Sequence, residues 1–266
     1  MVTRSSRSRP KAGTARRTIQ TERRESPAVT DGRKPAAGAT AAKSGHYNGH
    51  RARLRRRLLD HGADSLADHE VLEFLLFGAH PRGDTKPLAK TLLARFGNLA
   101  NVLTAGADEL AGIAGIGEAA TALLKIVPEA ARRLAREEVA KRPIIASWDQ
   151  LLAYCRIAMG REKVEQFRLL FLDTRNHLIA DEVQQRGTVN HTPVYPREVI
   201  KRALELGASA IILVHNHPSG DPTPSRADIE MTRDIAAAAA KLDIAVHDHL
   251  VISRNGHTSF RAAGLL

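Results

Sequence analysis

Two histidines, a serine and an aspartate lie close together in the segment HNHPSGDPTPSRAD. His215 and His217 are two residues apart, so their imidazoles project from the same face if this segment is a β-strand. Asp228 follows a Pro-rich turn, where a carboxylate on a helix can swing back over the end of the strand. Zinc in proteins is bound by imidazole nitrogen and carboxylate oxygen atoms. The spacing therefore predicts that His215, His217 and Asp228 bind a zinc ion, Zn2+, with Ser225 close by.

Three protein ligands leave the fourth tetrahedral position of zinc for water, which is typical of catalytic rather than structural sites. Zinc lowers the pKa of that water from about 15.7 toward 7, so a nucleophile becomes available at neutral pH. A general base must still take up a proton, and a polar group must orient the oxyanion. We expect a glutamate in the first role and Ser225 in the second. An iron site of two histidines and one carboxylate is the alternative for the metal.

Several other polar residues are interpreted as structural. His247 and His249 have the same spacing as the first pair, but no Pro-Ser-Gly turn and no helix with an acid follow them. We interpret them as structural, with Asp248 on the opposite face of the strand. Asp221 is expected to cap the turn before the helix rather than to bind the metal. Cys155 lies in a helical pattern and is expected to be a small core residue.

The sequence around the candidate site predicts elements in the order β-β-α-β-α-β-β. Residues 147–150 predict a capping box at the start of a helix. Residues 208–217 are too apolar for an edge strand, so we expect them in the middle of a sheet. The other predicted elements are a hairpin of residues 167–173 and 177–185, helices at 196–207 and 223–242, and a final hairpin around residues 255–256. This order predicts an α+β domain over residues 145–266, with a mixed sheet sandwiched by helices.

Residues 46–140 show short helical patterns separated by glycine-containing turns, which predicts a small all-α domain. Within it, the segment LAGIAGIG has the pattern of a helix-hairpin-helix. Gly115 and Gly117 allow a tight turn there, and a DNA phosphate could bind at the start of the following helix. The alternative is that both glycines only allow two helices to pack closely, since the hairpin holds no lysine or arginine.

In this chain of 266 residues, most of the net charge of +11 lies near the N-terminus. Residues 1–45 are rich in Arg, Ser, Ala, Pro and Gly, which predicts a disordered basic tail. Such a tail favours DNA through counterion release, although a solvated extension without a partner is an equal alternative. The sequence shows no apolar run of membrane-spanning length and no secretory signal. We therefore expect a cytoplasmic protein without membrane association.

The pattern H-x-H-x7-S-x2-D is the JAMM motif, and its form here resembles that of bacterial RadC-like proteins. The segments FRLLFLDTRN, YPREVIKRALELGA and DHLVIS are also similar to that family. The resemblance covers residues 160–266 strongly and residues 50–135 more weakly. It implies an MPN/JAB fold, related to cytidine deaminase-like sandwiches, and zinc-dependent hydrolysis of amide or isopeptide bonds in a peptide or protein substrate.

The resemblance also implies roles for single residues. It makes the two histidines and the aspartate of the motif the zinc ligands, with Ser225 hydrogen-bonded to the water or the oxyanion. An Asp-His at the position of Asp248 and His249 is common in the family and is not assigned to the metal, so the resemblance leaves open a role for this pair behind the ligands. The general base in such enzymes is a glutamate at the start of the first core strand, which corresponds best to Glu165. Glu182, in the second strand of the predicted hairpin, is the alternative. The family's historical association with DNA repair gives a second hypothesis, a DNA-associated module with a structural or vestigial metal site.

Overall fold

The computed structural model describes residues 45–187 and 194–266, with side chains from residue 49 onward in the first range. The described residues form one compact unit. The predicted basic tail falls outside them, except for its last residue. Within the described residues, each helix is too short or too polar to cross a membrane.

Six helices form the N-terminal part of the described chain. They are α1 (Gly45–His61), α2 (Asp68–Ala79), α3 (Lys86–Phe96), α4 (Leu99–Thr104), α5 (Ala107–Ala111) and α6 (Glu118–Ala140), with a short 3-10 helix at Ala63–Ser65. Their apolar side chains share one core, in which Leu72, Leu92, Leu110 and Leu124 are fully buried. The prediction of a helical region ahead of the sheet is confirmed.

The C-terminal part follows the predicted order of strands and helices. Its elements are a 3-10 helix at Ile144–Ser147, α7 (Trp148–Met159), β1 (Gln166–Leu172), β2 (Leu178–Arg186), α8 (Pro196–Glu205), β3 (Ala210–Asn216), α9 (Arg226–Ala240), β4 (Ala245–Ile252) and β5 (His257–Ser259). The sheet has the order β2-β1-β3-β4-β5. β3 is parallel to β4, and the other neighbouring strands are antiparallel. The predicted mixed α+β fold is therefore confirmed.

The sheet separates two cores, because successive side chains of a strand point to opposite faces. Leu170 and Ile212 pack into the core that α7 covers. Leu169 and Leu213 pack into the opposite core, which α8 and α9 cover. β3 is buried along its whole length, since it has a strand on each side and helices on both faces. Its continuous apolar run is that of a central strand, as predicted.

A β-bulge in β4 changes which of its residues face α9. Val246 packs into the core on the α8 and α9 face, whereas Leu250 packs into the core on the α7 face. Strict alternation would put both on one face. The bulge lies at His247, where the pairing with β3 shifts by one residue. As a result, His249 lies on the same face of the sheet as α9.

One predicted helix cap and one predicted helix start are wrong, although α7 begins at Trp148, directly after Ser147, as predicted. Ser147 forms no capping box, because the chain enters α7 through a 3-10 turn in which the Ser147 hydroxyl donates to the carbonyl of Pro143. The last predicted helix, α9, begins at Arg226 rather than at Thr223. Thr223 precedes a proline, and the residue before proline is sterically kept out of the helical conformation.

A buried ion pair joins β1 and β2 on the α7 side of the sheet. Arg168 donates to Asp181 at 2.6 Å, and both side chains are at most 8% exposed. The hydroxyl of the fully buried Tyr154 is also hydrogen-bonded to Asp181. Removal of the carboxylate would leave a buried guanidinium without its counter-charge.

The Asp181→Ala variant is therefore expected to lower the free energy of unfolding by about 3–5 kcal/mol, measured by denaturant titration. Glu138→Ala is the matched control, because Glu138 pairs with Lys141 on the surface and exposed pairs contribute little. Equal midpoints for Asp181→Ala and the wild type would show that the pair does not stabilise the sheet.

Candidate metal centre

The central strand β3 and the residue after its end carry the first two candidate ligands. His215 continues the alternation of Ile211 and Leu213, so its ring lies on the face covered by α9. It is 1% exposed. His217 follows the end of the strand by one residue and is only partly buried, with a side-chain exposure of 18%. The Nε2 atoms of His215 and His217 lie 2.9 Å apart, so the two imidazoles converge on one point.

The turn after β3 fixes the orientation of the second ring. Nδ1 of His217 donates to the carbonyl of Asp221 at 2.8 Å, which leaves Nε2 of this ring as the atom available to a metal. The carboxylate of Asp221 accepts from the backbone and hydroxyl of Thr223. Asp221 therefore shapes the turn, as the sequence suggested, and does not point at the two histidines.

Gly220 allows this turn to close. Its φ is +92°, a conformation that side chains with a Cβ rarely adopt. A Cβ at this position would also lie 2.8 Å from Nε of Arg254 and 2.9 Å from Nδ2 of Asn255. Asn255 in turn donates to the carbonyl of Gly220 at 3.0 Å. The tip between β4 and β5 therefore holds the turn that positions His217.

The start of α9 supplies a carboxylate. Ser225 is the N-cap of the helix, and its hydroxyl accepts from the backbone N–H of Asp228 at 3.1 Å. The same hydroxyl and the backbone N–H of Ser225 donate to Oδ2 of Asp228, at 2.6 and 2.7 Å. This reciprocal cap holds the Asp228 carboxylate 3.5 Å from Nε2 of His215 and 3.8 Å from Nε2 of His217.

Glu165 lies close to the same point, at the start of the neighbouring strand. It lies directly before β1, which is antiparallel to β3 with Phe167 paired to His215. Ligand atoms of Glu165, His215, His217 and Asp228 all lie within 4.8 Å of one another. The structure thus brings together the three predicted metal ligands and the favoured candidate for the general base.

Glu182, the alternative candidate, is engaged elsewhere. It lies on β2 and accepts from Arg202 of α8, with Nη2 to Oε1 at 2.6 Å and Nε to Oε2 at 2.9 Å. This ion pair lowers the pKa of Glu182. A carboxylate held in such a pair is a poor proton acceptor, and the geometry therefore favours Glu165.

The surroundings of the candidate ligands set their charges. Burial lowers the pKa of His215 to about 4. The carboxylate of Asp228 raises the pKa of His217 despite its partial burial. For Asp228 itself, burial acts to raise the pKa, but the nearby His217, the charge of His215 and the contacts with Ser225 outweigh it and the pKa is lowered. At neutral pH the site thus holds a neutral His215 and an ionised Asp228.

The donor set fits a divalent metal ion. Two imidazole nitrogens and two carboxylate oxygens are the ligand types of catalytic zinc sites. The ring of His217 already directs Nε2 inward, because its other nitrogen is used by the turn. A cation between the two Nε2 atoms would also compensate the two carboxylates that share this small, partly buried space.

Metal binding is expected to weaken as the pH falls. Because the pKa of His217 lies above its usual 6.5 without metal, this ring is protonated at lower pH and the metal must displace the proton. Zinc affinity should therefore fall by up to about tenfold per pH unit below that pKa and level off well above it. Competition with a chelator between about pH 5.5 and 8 measures this. A pH-independent affinity would show that His217 is not a ligand.

One residue beside the proposed ligands was predicted to be structural, with a role behind the ligands left open. His249 was interpreted as structural, yet its Nε2 lies 2.7 Å from Nδ1 of His215. The i, i+2 spacing with His247 is visible in the sequence, but the bulge that turns His249 toward α9 is not. His247 instead contacts Asn176 at 2.6 Å, away from the metal centre.

The helix-hairpin-helix candidates lie in the helical part. Gly115 has φ +92° in the turn between α5 and α6, and Gly117 is the residue directly before α6. The turn therefore has the conformation that the glycines predict. Glu118 occupies the first turn of α6, so a negatively charged residue belongs to the turn at which a phosphate would bind.

Comparison with known families agrees with these two parts of the chain. Residues 145–265 match the RadC-like JAB domain, which holds the metal centre. Residues 49–122 match the UPF0758 N-terminal domain, which lies in the helical part. The two matches together cover well over half of the chain, and the JAB domain indicates a JAMM-type metallohydrolase fold. The chain belongs to the RadC-like family.

Proposed function

We propose that this protein is a zinc-dependent hydrolase that cleaves amide or isopeptide bonds in a peptide or protein. One observation carries the proposal: two imidazoles and two carboxylates from three separate segments converge within 4.8 Å. A purely structural zinc site would use all its positions for protein ligands, usually with cysteine. The only cysteine of the chain, Cys155, is buried in the core on the α7 face.

In this proposal His215, His217 and Asp228 hold the ion. A bound zinc ion would polarise the scissile carbonyl and activate water for attack. The turn after β3 and the cap of α9 hold two of these ligands before the ion binds. Such preorganisation reduces the rearrangement that binding requires.

Glu165 is the proton carrier of the proposal. Its position beside both histidines lets it accept a proton from the attacking water and pass it to the departing amine nitrogen. The proton must reach the amine because an amide anion is a poor leaving group. Glu165 therefore acts first as a general base and then as a general acid.

Ser225 has two proposed roles that use the same hydroxyl. In this structure the hydroxyl donates to Asp228, which orients that carboxylate toward the histidines. Rotation of the hydroxyl would let it donate to the oxyanion instead, while the backbone N–H of Ser225 keeps its bond to Asp228. The partly exposed edge of the site, where Ser225 lies, leaves room for the substrate.

A groove beside the site could receive an extended substrate. It has a volume of about 370 Å³ and lies between helices α3 to α5 and the turns that follow α7, β3 and β4. Pro218, the residue after His217, forms part of its wall, and Lys163 and Arg254 lie at its sides. This volume accommodates a few residues of a peptide.

The test of the proposed function is metal analysis followed by a cleavage screen. Elemental analysis of protein purified without added metal distinguishes zinc from the iron expected for some sites with two histidines and one carboxylate. The zinc-loaded protein is then incubated with a peptide library and with lysine-linked isopeptides. We expect cleavage that a chelator stops and added zinc restores. Stoichiometric zinc with no cleavage in either library would contradict the proposal.

DNA binding through the hairpin and the basic tail stays a prediction. The turn at Gly115 and Gly117 is formed, and nothing lies within 4 Å of a Cβ added at Gly117. The carboxylate of Glu118, however, disfavours a phosphate at the start of α6. The geometry therefore supports hydrolysis better than a DNA-binding module with a vestigial metal site.

A further inference from the structure

A series of buried hydrogen bonds connects two of the proposed ligands, His215 and Asp228, without using the atoms that would bind the metal. Nε2 of His249 lies 2.7 Å from Nδ1 of His215, and Nδ1 of His249 lies 2.6 Å from the hydroxyl of Thr232. That hydroxyl lies 2.6 Å from the backbone carbonyl of Asp228. His249 and Thr232 are fully buried. These hydrogen bonds thus lead from one proposed ligand to the other through His249 and Thr232, which are not ligands themselves.

The direction of each hydrogen bond follows from the last acceptor. A backbone carbonyl only accepts, so the single hydroxyl proton of Thr232 is donated to Asp228. Thr232 must then accept from Nδ1 of His249. A neutral imidazole carries only one proton, which leaves Nε2 of His249 as an acceptor for the Nδ1 proton of His215. His215 is therefore protonated at Nδ1 and presents a lone pair at Nε2.

We propose that His249 is a positioning residue of the metal centre, which holds His215 in the tautomer and orientation that metal binding through Nε2 requires. Thr232 completes this function, because it ties His249 to the helix turn that carries Asp228. The inference rests on the proposed metal site but not on hydrolysis. Ligand histidines commonly donate their second N–H to a carboxylate, a carbonyl or water, and here another histidine takes that place.

The packing around His249 supports this role. Its ring stacks on Phe260, with ring centroids 4.4 Å apart, and meets the edge of Phe167 at 5.7 Å. These contacts limit rotation of the imidazole. The bulge at His247 determines that the ring faces α9. Since both nitrogens of His249 have partners, the ring is not available as a further ligand.

Zinc affinity of the purified protein is the direct test, measured by competition with a chromophoric chelator. His249→Phe keeps a ring in the aromatic pocket but removes both hydrogen bonds. We expect it to weaken zinc binding about 10–100-fold, the range known for such partners of ligand histidines. His249→Gln should restore most of the affinity, because its amide can donate to Thr232 and accept from His215. His247→Gln is the matched control on the same strand and should bind zinc like the wild type.

The stability of the metal-free variants separates positioning from a merely structural role. If His249→Phe and His249→Gln unfold at similar denaturant concentrations but only the former loses zinc affinity, the inference holds. Undiminished affinity in His249→Phe, or an equal loss in both variants, would overturn it. If His249→Phe does not fold, Thr232→Val is the second test, because it removes the hydroxyl that accepts from His249. Weaker zinc binding by Thr232→Val supports the inference, and unchanged zinc binding overturns it. A wild-type protein that binds no zinc would overturn the proposed function as well.

Discussion

Replacement of Glu165 by glutamine is expected to lower kcat/KM for peptide hydrolysis by about 10²–10⁴-fold, the contribution that general acid–base catalysis usually makes. The amide cannot accept a proton from water, although it has nearly the size of the carboxylate. Zinc should remain bound, because the two histidines and Asp228 still converge on the same point. Steady-state kinetics and metal analysis of the same preparation measure both effects.

Glu182→Gln is the matched control for this prediction. It makes the same chemical change in a carboxylate that pairs with Arg202, outside the cluster of candidate ligands. Its kcat/KM should stay close to that of the wild type. Loss of activity in Glu182→Gln together with an active Glu165→Gln would reverse the assignment of the general base.

The Asp228→Asn substitution should remove both metal and activity. Asparagine retains an oxygen that accepts from Ser225, so the start of α9 should still form. It loses the negative charge that lies 3.5 Å from Nε2 of His215. Loss of a residue that is hydrogen-bonded to a metal ligand lowers metal affinity about 10–100-fold. We therefore expect the loss of a ligand itself to lower zinc affinity at least about 100-fold. Zinc titration and cleavage assays at low metal concentration measure this effect.

Asp234→Asn controls for the change of charge on the same helix. Asp234 lies on the exposed side of α9, further along the chain from the site. It should bind zinc and cleave peptide like the wild type. If Asp228→Asn retained wild-type zinc affinity, Asp228 would not be a ligand, and the three-ligand site would have to be abandoned.

The convergence of the candidate ligands could be predicted from the sequence because it depends on local geometry. Alternation along β3 places His215 and His217 together, and a short Pro-rich turn limits where Asp228 can lie. The fold could also be predicted from the sequence, since the apolar run of β3 indicates a central strand. These are short-range patterns in which spacing determines position.

The features that could not be predicted depend on pairing between distant segments. The resemblance favoured Glu165 over Glu182, but spacing along the chain does not decide between them, because the choice requires the register of β1 with β3. The position of His249 depends on a bulge of one residue, which exchanges the two faces of β4. The capping box at Ser147 failed because the preceding 3-10 turn uses its hydroxyl.

In the proposed function, hydrolysis depends on a single metal ion bound by His215, His217 and Asp228. The most direct measurement is the rate of peptide cleavage during titration of metal-free protein with zinc. We expect no cleavage at the start, a rise in rate with added zinc and a plateau at about one ion per chain, as for a catalytic site with three protein ligands. Cleavage by the metal-free protein at the full rate, or a zinc-saturated protein that cleaves no peptide, would contradict the proposed function.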